Sequence, residues 1–203
     1  FPGHTEFLGE LTLAHRYDGA RGPIMMLAAP GLRVSLVTVH KPLAEVPAAL
    51  SVEKIVNAGL VTAQALRRDF GIERPRVAVA GLNPHAGENG TIGREEVQIV
   101  GPAVRALRDL GVEAVGPSPA DSLFHEAARA KYDAVLCLYH DQALIPVKML
   151  DFWGGVNITL GLPIVRTSPD HGTAFDIAGR GLARADSMIA AIRMAKEIAD
   201  RRL

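Results

Sequence analysis

The sequence predicts an α/β fold of three layers, in which helices cover both faces of a largely parallel β-sheet. Short apolar runs that are typical of buried strands alternate along the chain with longer segments of helical period. Such alternation favours a sheet whose parallel strands are connected by helices. The chain has 203 residues, which is enough for one large α/β domain or for two compact lobes that share a sheet. The predicted strands are residues 23–29, 33–39, 75–82, 112–115 and 132–138.

Four segments carry the helical repeat. Ser51 is a candidate N-cap for the first of them, because it stands directly before an amphipathic run and Glu53 falls in the first turn. The last helix has an apolar side that we expect to pack in the core. This side is formed by Met188, Ile189, Ile192, Ala195 and Ile198. The predicted helices are residues 51–71, 94–110, 119–129 and 185–202.

Composition and charge exclude several classes of protein. Hydrophobic residues make up 48% of the chain and charged residues 22%, as in ordinary globular domains. The formal net charge is +0, so the sequence predicts neither a nucleic-acid partner nor an anionic membrane partner. No apolar run reaches the ~20 residues of a spanning helix. Cys137 is the single cysteine, which excludes an internal disulfide, fits a reducing cytoplasmic compartment and is expected to be a small buried apolar residue.

Three of the seven histidines lie in polar stretches that are predicted to be loops. These are His4, His85 and His140, and the last two follow predicted strands, where ligands bind in parallel sheets. Imidazole is the commonest protein ligand for zinc, and three ligands with an open position are typical of a catalytic metal site. Taken alone, a histidine in a loop is more often a turn or cap residue than a metal ligand. The other candidates, His15, His40 and His125, are interpreted as ordinary structural residues.

Two further stretches are candidates for binding sites. One candidate set would suit a substrate with a carboxylate and a phosphate: Lys148, Asn157 and Arg166. The alternative is that these are three solvated polar residues that bind nothing, and the sequence pattern fits both interpretations. Residues 168–181 place small residues in a tight turn ahead of a predicted short helix. Because amides at a helix N-terminus attract phosphate, this stretch is a candidate nucleotide-binding site. The alternative interpretation is a turn and a capped helix without a ligand.

Six motifs, in this order, resemble the PdxA family, which acts in pyridoxal phosphate biosynthesis. The resemblance covers nearly the whole chain, and several of the motifs are long enough to be specific. They are Pro-Gly-His-Thr-Glu at residues 2–6, Gly-Leu-Asn-Pro-His-Ala-Gly-Glu at 81–88, Pro-Ala-Asp-Ser-Leu-Phe at 119–124, Tyr-His-Asp-Gln at 139–142, Gly-Val-Asn-Ile-Thr-Leu-Gly-Leu-Pro at 155–163 and Asp-His-Gly-Thr-Ala at 170–174.

The resemblance implies a fold like that of isocitrate and isopropylmalate dehydrogenases, and a homodimer. His4, His85 and His140 match the family's ligands for a divalent metal, which come from both subunits. Zinc is the expected ion, with magnesium or cobalt as alternatives. Lys148, Asn157 and Arg166 match the residues that bind the phosphorylated hydroxy amino acid substrate.

The resemblance also implies the reaction. It is an NAD- or NADP-dependent oxidation and decarboxylation of 4-phosphohydroxy-L-threonine to 3-amino-2-oxopropyl phosphate. The turn His171, Gly172, Thr173 and Ala174 resembles the nucleotide loop of β-decarboxylating dehydrogenases. Lys148 would stabilise or protonate the enolate that remains after carbon dioxide leaves, and Asp121 matches an acidic residue near the site that would act as proton acceptor.

The resemblance implies a long N-terminal half in members of the family, which we expect to be missing before Phe1. We therefore expect a central metal-binding and dimerisation domain at residues 1–138 and an incomplete nucleotide and substrate domain at residues 139–203. Residues from about 139 onward would lack sheet partners, and turnover by this chain alone would be negligible. Two alternatives remain open: a related metal-dependent dehydrogenase for another hydroxy acid or a cis-dihydrodiol carboxylate, and a non-catalytic metal-binding dimerisation fragment.

Overall fold

One seven-stranded sheet organises the molecule. The computed structural model describes residue 1 and residues 3–203. The strand order across the sheet is β4-β3-β5-β2-β1-β6-β7. The strands are β1 (Ile24–Ala29), β2 (Leu32–Leu36), β3 (Arg76–Ala80), β4 (Glu113–Ser118), β5 (Ala134–Cys137), β6 (Val156–Leu160) and β7 (Thr167–Pro169).

Helices cover both faces of the sheet, so the three-layer prediction is confirmed. Apolar residues of α3, α4 and α7 form one core with one face of the sheet, and Ala143 and Val147 of α6 pack in a second core on the other face. The helices are α1 (His4–Leu11), α2 (Val46–Ala49), α3 (Val52–Arg68), α4 (Gly101–Asp109), α5 (Glu126–Arg129), α6 (His140–Leu150) and α7 (Asp186–Arg202).

The predicted N-cap of α3 is confirmed. Ser51 has an extended backbone, and its side chain accepts a hydrogen bond from the Lys54 amide at 3.2 Å. That bond satisfies one of the free amides of the first turn, which is the usual role of an N-cap. Behind it, Ile55 and Leu66 are fully buried and anchor α3 on the sheet.

Half of the strand pairings are antiparallel, so the prediction of a largely parallel sheet is wrong in this respect. The pairs β2·β5, β3·β5 and β3·β4 are parallel, whereas β1·β2, β1·β6 and β6·β7 are antiparallel. The reason lies partly in the connection between β1 and β2, which is only Pro30-Gly31. Gly31 has a φ of +74°, and a connection of two residues forms a hairpin and therefore an antiparallel pair.

Strand β6 has a partner on each side, which contradicts the expectation that residues after 139 lack sheet partners. It pairs with β1 from Ile24↔Leu160 to Ala28↔Val156, and with β7 on its other side. The sheet therefore continues across the predicted boundary at residue 138. The division into two domains stays a prediction.

Residues 119–129 do not form the single helix that was predicted. A 3₁₀ turn (Ala120–Ser122) and the short α5 replace it, with an extended residue, His125, between them. The carbonyl of Leu123 explains the break, because it accepts a hydrogen bond from the buried Tyr132 hydroxyl instead of from a helical amide.

Helix α7 forms where it was predicted, but its buried side is only partly the predicted one. Ile198 is buried as expected, whereas Met188, Ile189 and Ile192 are 49%, 44% and 62% exposed, and Ser187 and Ala191 face the core instead. The Ala191 carbonyl accepts a hydrogen bond from the Thr167 hydroxyl of β7 at 2.8 Å. Such a close approach of helix and strand requires small residues on the buried side.

No single helix in the described part of the chain combines the length and apolar character needed to cross a membrane. The segments Leu43–Ala49 and Val52–Arg68 pass that test only when they are taken together across a bend of 93°.

Cys137 lies at the end of β5 and is fully buried, as predicted. Burial disfavours the thiolate and raises the pKa of the Cys137 thiol. We expect iodoacetamide at pH 8 to leave the native chain unmodified and to alkylate it fully in urea, as measured by intact mass. Alkylation of the native chain as fast as that of the unfolded chain would contradict this burial.

Candidate active site

Three histidines follow the ends of neighbouring parallel strands at one edge of the sheet. Strand β5 pairs in parallel with both β2 and β3, so the carboxyl ends of these three strands lie side by side. His40 follows β2, His85 follows β3 and His140 follows β5. Ligands of α/β proteins bind at such edges, which makes this edge the candidate active site.

His85 lies in a run of tight turns, Pro84–Gly90, as the sequence predicts for a loop. Its Nδ1 atom is 2.6 Å from Glu88 Oε1, and the hydrogen bond and charge of Glu88 raise the pKa of His85, with a smaller contribution from the charge of Asp121. Asp121 thus lies near His85, in the 3₁₀ turn Ala120–Ser122. His85 also lines an open cavity of about 560 Å³.

His140 is the first residue of α6, so its placement in a loop is corrected. Tyr139 is the extended residue before the helix, and the remaining residues of the Tyr-His-Asp-Gln motif lie in its first turn. The Nδ1 atom of His140 is 2.7 Å from Asp141 Oδ1.

The donor chemistry of His85 and His140 fits a divalent metal. In both residues a carboxylate, from Glu88 or Asp141, engages Nδ1 and leaves Nε2 as the free nitrogen. A carboxylate on one ring nitrogen fixes the tautomer and makes the other nitrogen a better metal ligand. Neutral imidazole nitrogens of this kind suit zinc and cobalt.

His4 is the exposed first residue of α1, which corrects its placement in a loop. It lines a cavity of about 600 Å³ in which His85 and His140 take no part. Across residue 1 and residues 3–203, no three His, Cys, Asp or Glu side chains form a group that could hold a metal. The predicted site draws its ligands from two subunits, so it stays a prediction.

His40, which was interpreted as an ordinary structural residue, lies at this edge beside His140. Its ring centroid is 5.8 Å from that of His140. It lines the cavity of His4 and also a second cavity, of about 510 Å³, that His140 lines. A local signal existed, because His40 follows an apolar strand in the same way as His140 does.

The cavity of His4 also contains Asn157 and Arg166. Burial lowers the pKa of Arg166, and its guanidinium has no carboxylate partner in the described chain, only Thr159 Oγ1 at 3.3 Å. Asn157 Oδ1 is buried and is likewise without a hydrogen-bond partner among the described residues. The partly desolvated guanidinium favours an anion in this cavity, whereas the Asn157 oxygen needs a hydrogen-bond donor.

Lys148 lies apart from this cavity, on α6. Its Nζ contacts Asp170 Oδ2 at 3.1 Å and donates to the Asp170 carbonyl at 2.9 Å. Asn157 shares the α6 face of the sheet, because its strand neighbours Val156 and Ile158 pack in the opposite core. The structure therefore places Lys148 and Asn157 on one face but in different cavities.

The predicted nucleotide turn lines another cavity, of about 440 Å³, together with Lys148 and Trp153; we call it the Trp153 cavity. His171, Gly172 and Ala174 belong to its lining, and Thr173 is exposed beside them. The predicted short helix is only the three-residue 3₁₀ turn Phe175–Ile177, and the nucleotide-binding role of the preceding residues stays a prediction. Ala174 has a φ of 46°, which turns the backbone sharply at this point.

Several named proteins are similar to this chain in sequence. A family model described as "Pyridoxal phosphate biosynthetic protein PdxA" matches residues 1–195. A 4-hydroxythreonine-4-phosphate dehydrogenase of Caulobacter vibrioides is 73% identical over 202 residues, which cover 100% of this chain and 61% of that protein. One of Paracoccus denitrificans is 59% identical, with 100% and 62% covered. The chain thus spans about three fifths of the length of these relatives.

Solved structures share the fold. A 4-hydroxythreonine-4-phosphate dehydrogenase of Klebsiella pneumoniae superposes with a TM-score of 0.86 at 48% identity, over 98% of this chain and 58% of that one. A terephthalate 1,2-cis-dihydrodiol dehydrogenase of Burkholderia xenovorans LB400 gives 0.75 at 33% identity, over 96% and 60%. The predicted dehydrogenase-type α/β fold is confirmed. By motifs, family model and fold together, the chain belongs to the PdxA family.

Proposed function

We propose that this chain supplies the metal-binding and substrate-binding part of a dehydrogenase that acts on 4-phosphohydroxy-L-threonine. The reaction is the NAD- or NADP-dependent oxidation of the substrate's secondary alcohol, followed by loss of carbon dioxide to give 3-amino-2-oxopropyl phosphate. Membership of the PdxA family supports this assignment, as do the relatives named 4-hydroxythreonine-4-phosphate dehydrogenase.

The desolvated Arg166 is the observation that carries the proposal. A partly buried guanidinium without an acidic partner is stabilised by an anion, and a carboxylate or phosphate matches its planar donors. The unsatisfied Asn157 Oδ1 needs a donor, which the hydroxyl or ammonium group of the substrate provides. An anionic amino alcohol therefore satisfies both residues together.

His4, His85 and His140 are the residues that we assign to the metal. When bound, the divalent ion supplies Lewis-acid polarisation of the substrate hydroxyl, and the nicotinamide accepts the hydride. Zinc is the expected ion, with cobalt and magnesium as alternatives. Because the three histidines form no cluster within the described chain, we propose a homodimer that shares the site between subunits.

Lys148 and Asp121 are the proposed acid–base residues. Asp170 forms an ion pair with the Lys148 ammonium beside the Trp153 cavity. We assign two roles to Lys148: it binds the substrate, and it stabilises or protonates the enolate after decarboxylation. Asp121, whose charge acts on His85, is assigned as the proton acceptor. We place the dinucleotide against the turn formed by His171, Gly172, Thr173 and Ala174.

The test is a chimera in which these 203 residues replace the matching part of the Caulobacter vibrioides relative. We expect NADH formation, measured by absorbance at 340 nm, with 4-phosphohydroxy-L-threonine and a divalent metal, at a rate within about tenfold of that of the relative. The chain alone, assayed in parallel, is expected to show negligible turnover.

Substrate profiling of the chimera separates the alternatives. Turnover of a terephthalate cis-dihydrodiol, but not of the phosphorylated substrate, would replace the proposed substrate with the one in the name of the Burkholderia xenovorans neighbour. A folded chimera that binds metal but neither substrate nor NAD would favour a non-catalytic metal-binding module.

A further inference from the structure

Gln142 joins the two strands that precede His85 and His140. Its side chain is buried, with 7% exposed. Its Oε1 accepts a hydrogen bond from the Leu138 amide at 2.7 Å, and its Nε2 donates to the Gly81 carbonyl at 2.7 Å. The last residues paired between β3 and β5 are Val79 and Leu136, so the carboxamide takes the place of a peptide group where the strands separate.

Glu96 continues this network under the His85 loop. It is also buried, with 4% exposed. Its Oε1 accepts from the amides of Leu82 and Asn83, both at 2.7 Å, and its Oε2 accepts from Asn83 Nδ2 at 2.9 Å. A Cβ built on Gly87 would lie 2.6 Å from Glu96 Oε2, so the loop rests directly on the carboxylate.

The loop needs such support because its backbone is unfavourable. Six consecutive residues have positive φ: His85, Ala86, Gly87, Glu88, Asn89 and Gly90. Non-glycine residues in this region cost free energy, and they persist where the surrounding structure holds them. The His85 side chain is exposed, and among the described residues it is hydrogen-bonded only to Glu88 of the same loop. Its position is therefore set by the backbone beneath it.

We propose that Gln142 and Glu96 are positioning residues, which together fix the His85 loop relative to His140 at the start of α6. The inference rests on the proposed function for the metal-binding role of the two histidines. It goes beyond that role because it assigns the distance between the two histidines to one buried chain of hydrogen bonds. The chain runs from the Leu138 amide to Gln142, from Gln142 to the Gly81 carbonyl, and from the Leu82 amide of the same peptide group to Glu96.

Two substitutions of Gln142 remove different numbers of hydrogen bonds and should therefore differ in the size of their effect. Gln142→Met removes both hydrogen bonds at similar volume, whereas Gln142→Glu keeps the acceptor for Leu138 and removes the donor to Gly81. Glu96→Gln tests the second half of the network. Ile198→Val is the matched control, because it trims a fully buried side chain of α7 that has no bond to this network.

Hydrogen exchange and cobalt binding are the measurements, made on the 203-residue chain. In Gln142→Met we expect faster exchange in peptides from residues 81–93, with unchanged exchange in α3, and a smaller increase in Gln142→Glu. We expect the affinity for Co²⁺, followed by its visible absorption, to fall about 10- to 100-fold, as for other residues that orient metal ligands. Ile198→Val should leave both unchanged.

Equal acceleration of exchange in all core peptides, or unchanged exchange at residues 81–93 in folded Gln142→Met, would overturn the inference. If the wild-type chain binds no cobalt, the metal assignment of the proposed function fails, and the exchange data still decide the positioning role. If Gln142→Met does not fold, hydrogen exchange at residues 81–93 in Gln142→Glu and Glu96→Gln decides the positioning role instead.

Discussion

Replacing Arg166 with methionine is expected to lower kcat/KM of the chimera for 4-phosphohydroxy-L-threonine by roughly 30-fold to several thousand-fold. Truncating one partner of a buried charge pair costs about 2–5 kcal/mol, and about 1.4 kcal/mol corresponds to tenfold. Most of the loss should appear in KM, because the guanidinium holds an anionic group that the substrate carries throughout the reaction. Initial rates over a range of substrate concentrations measure both constants.

Two further variants separate anion binding from a general loss of positive charge. Arg166→Lys should be intermediate, since lysine keeps the charge but loses the planar pair of donors. Arg74→Met removes an arginine whose side chain is 84% exposed in a surface ion pair with Glu113, and it should change kcat/KM less than about twofold. Equal kcat/KM values for Arg166→Met and Arg74→Met would remove Arg166 from the substrate site.

Local patterns predicted the part of the site that depends on single strand ends. An apolar strand followed by a polar segment marks His85 and His140, and the parallel pairing of β3 with β5 brings those ends together. Ser51 was predictable for the same reason, because a cap depends only on the next few residues. Such features need no knowledge of distant partners.

Features that depend on distant contacts could not be predicted from local sequence. The pairing of β6 with β1 joins segments far apart in the chain, and neither strand carries a signal for the other. The buried side of α7 is set by its close approach to β7 at Ala191, which outweighs the larger apolar side chains of Met188 and Ile192. For His40 the local signal of a preceding apolar strand existed, but only the pairing of β2 with β5 shows that it lies beside His140.

Replacing Asp69 with asparagine is expected to reduce the free energy of unfolding by about 3 kcal/mol at pH 7. The Asp69 side chain is 1% exposed at the end of α3, and Arg202 of α7 binds both of its oxygens at 2.8 Å. Breaking a buried pair costs about 3–5 kcal/mol, and we take the lower end because Arg202 and Arg68 keep some contact with water. Urea denaturation followed by circular dichroism measures the change.

The pH dependence of this loss has a definite sign. Burial alone would raise the pKa of Asp69, but the hydrogen bonds and charges of Arg202 and Arg68 outweigh it and hold the pKa below its usual value. The stabilisation is therefore complete above the carboxyl pKa of the unfolded chain, about 4, and is lost as the pH falls through the lower pKa of the folded chain.

The difference in stability between wild type and Asp69→Asn should accordingly be constant from pH 7 to about pH 5 and should narrow below about pH 4, because only the wild type loses a charge there. Asp18→Asn is the matched control, since Asp18 pairs with Arg16 where both side chains are more than 80% exposed, and its effect should stay within about 0.5 kcal/mol. A difference for Asp69→Asn that stays as small as that of Asp18→Asn, or that widens in acid, would show that this ion pair does not hold α7 against α3.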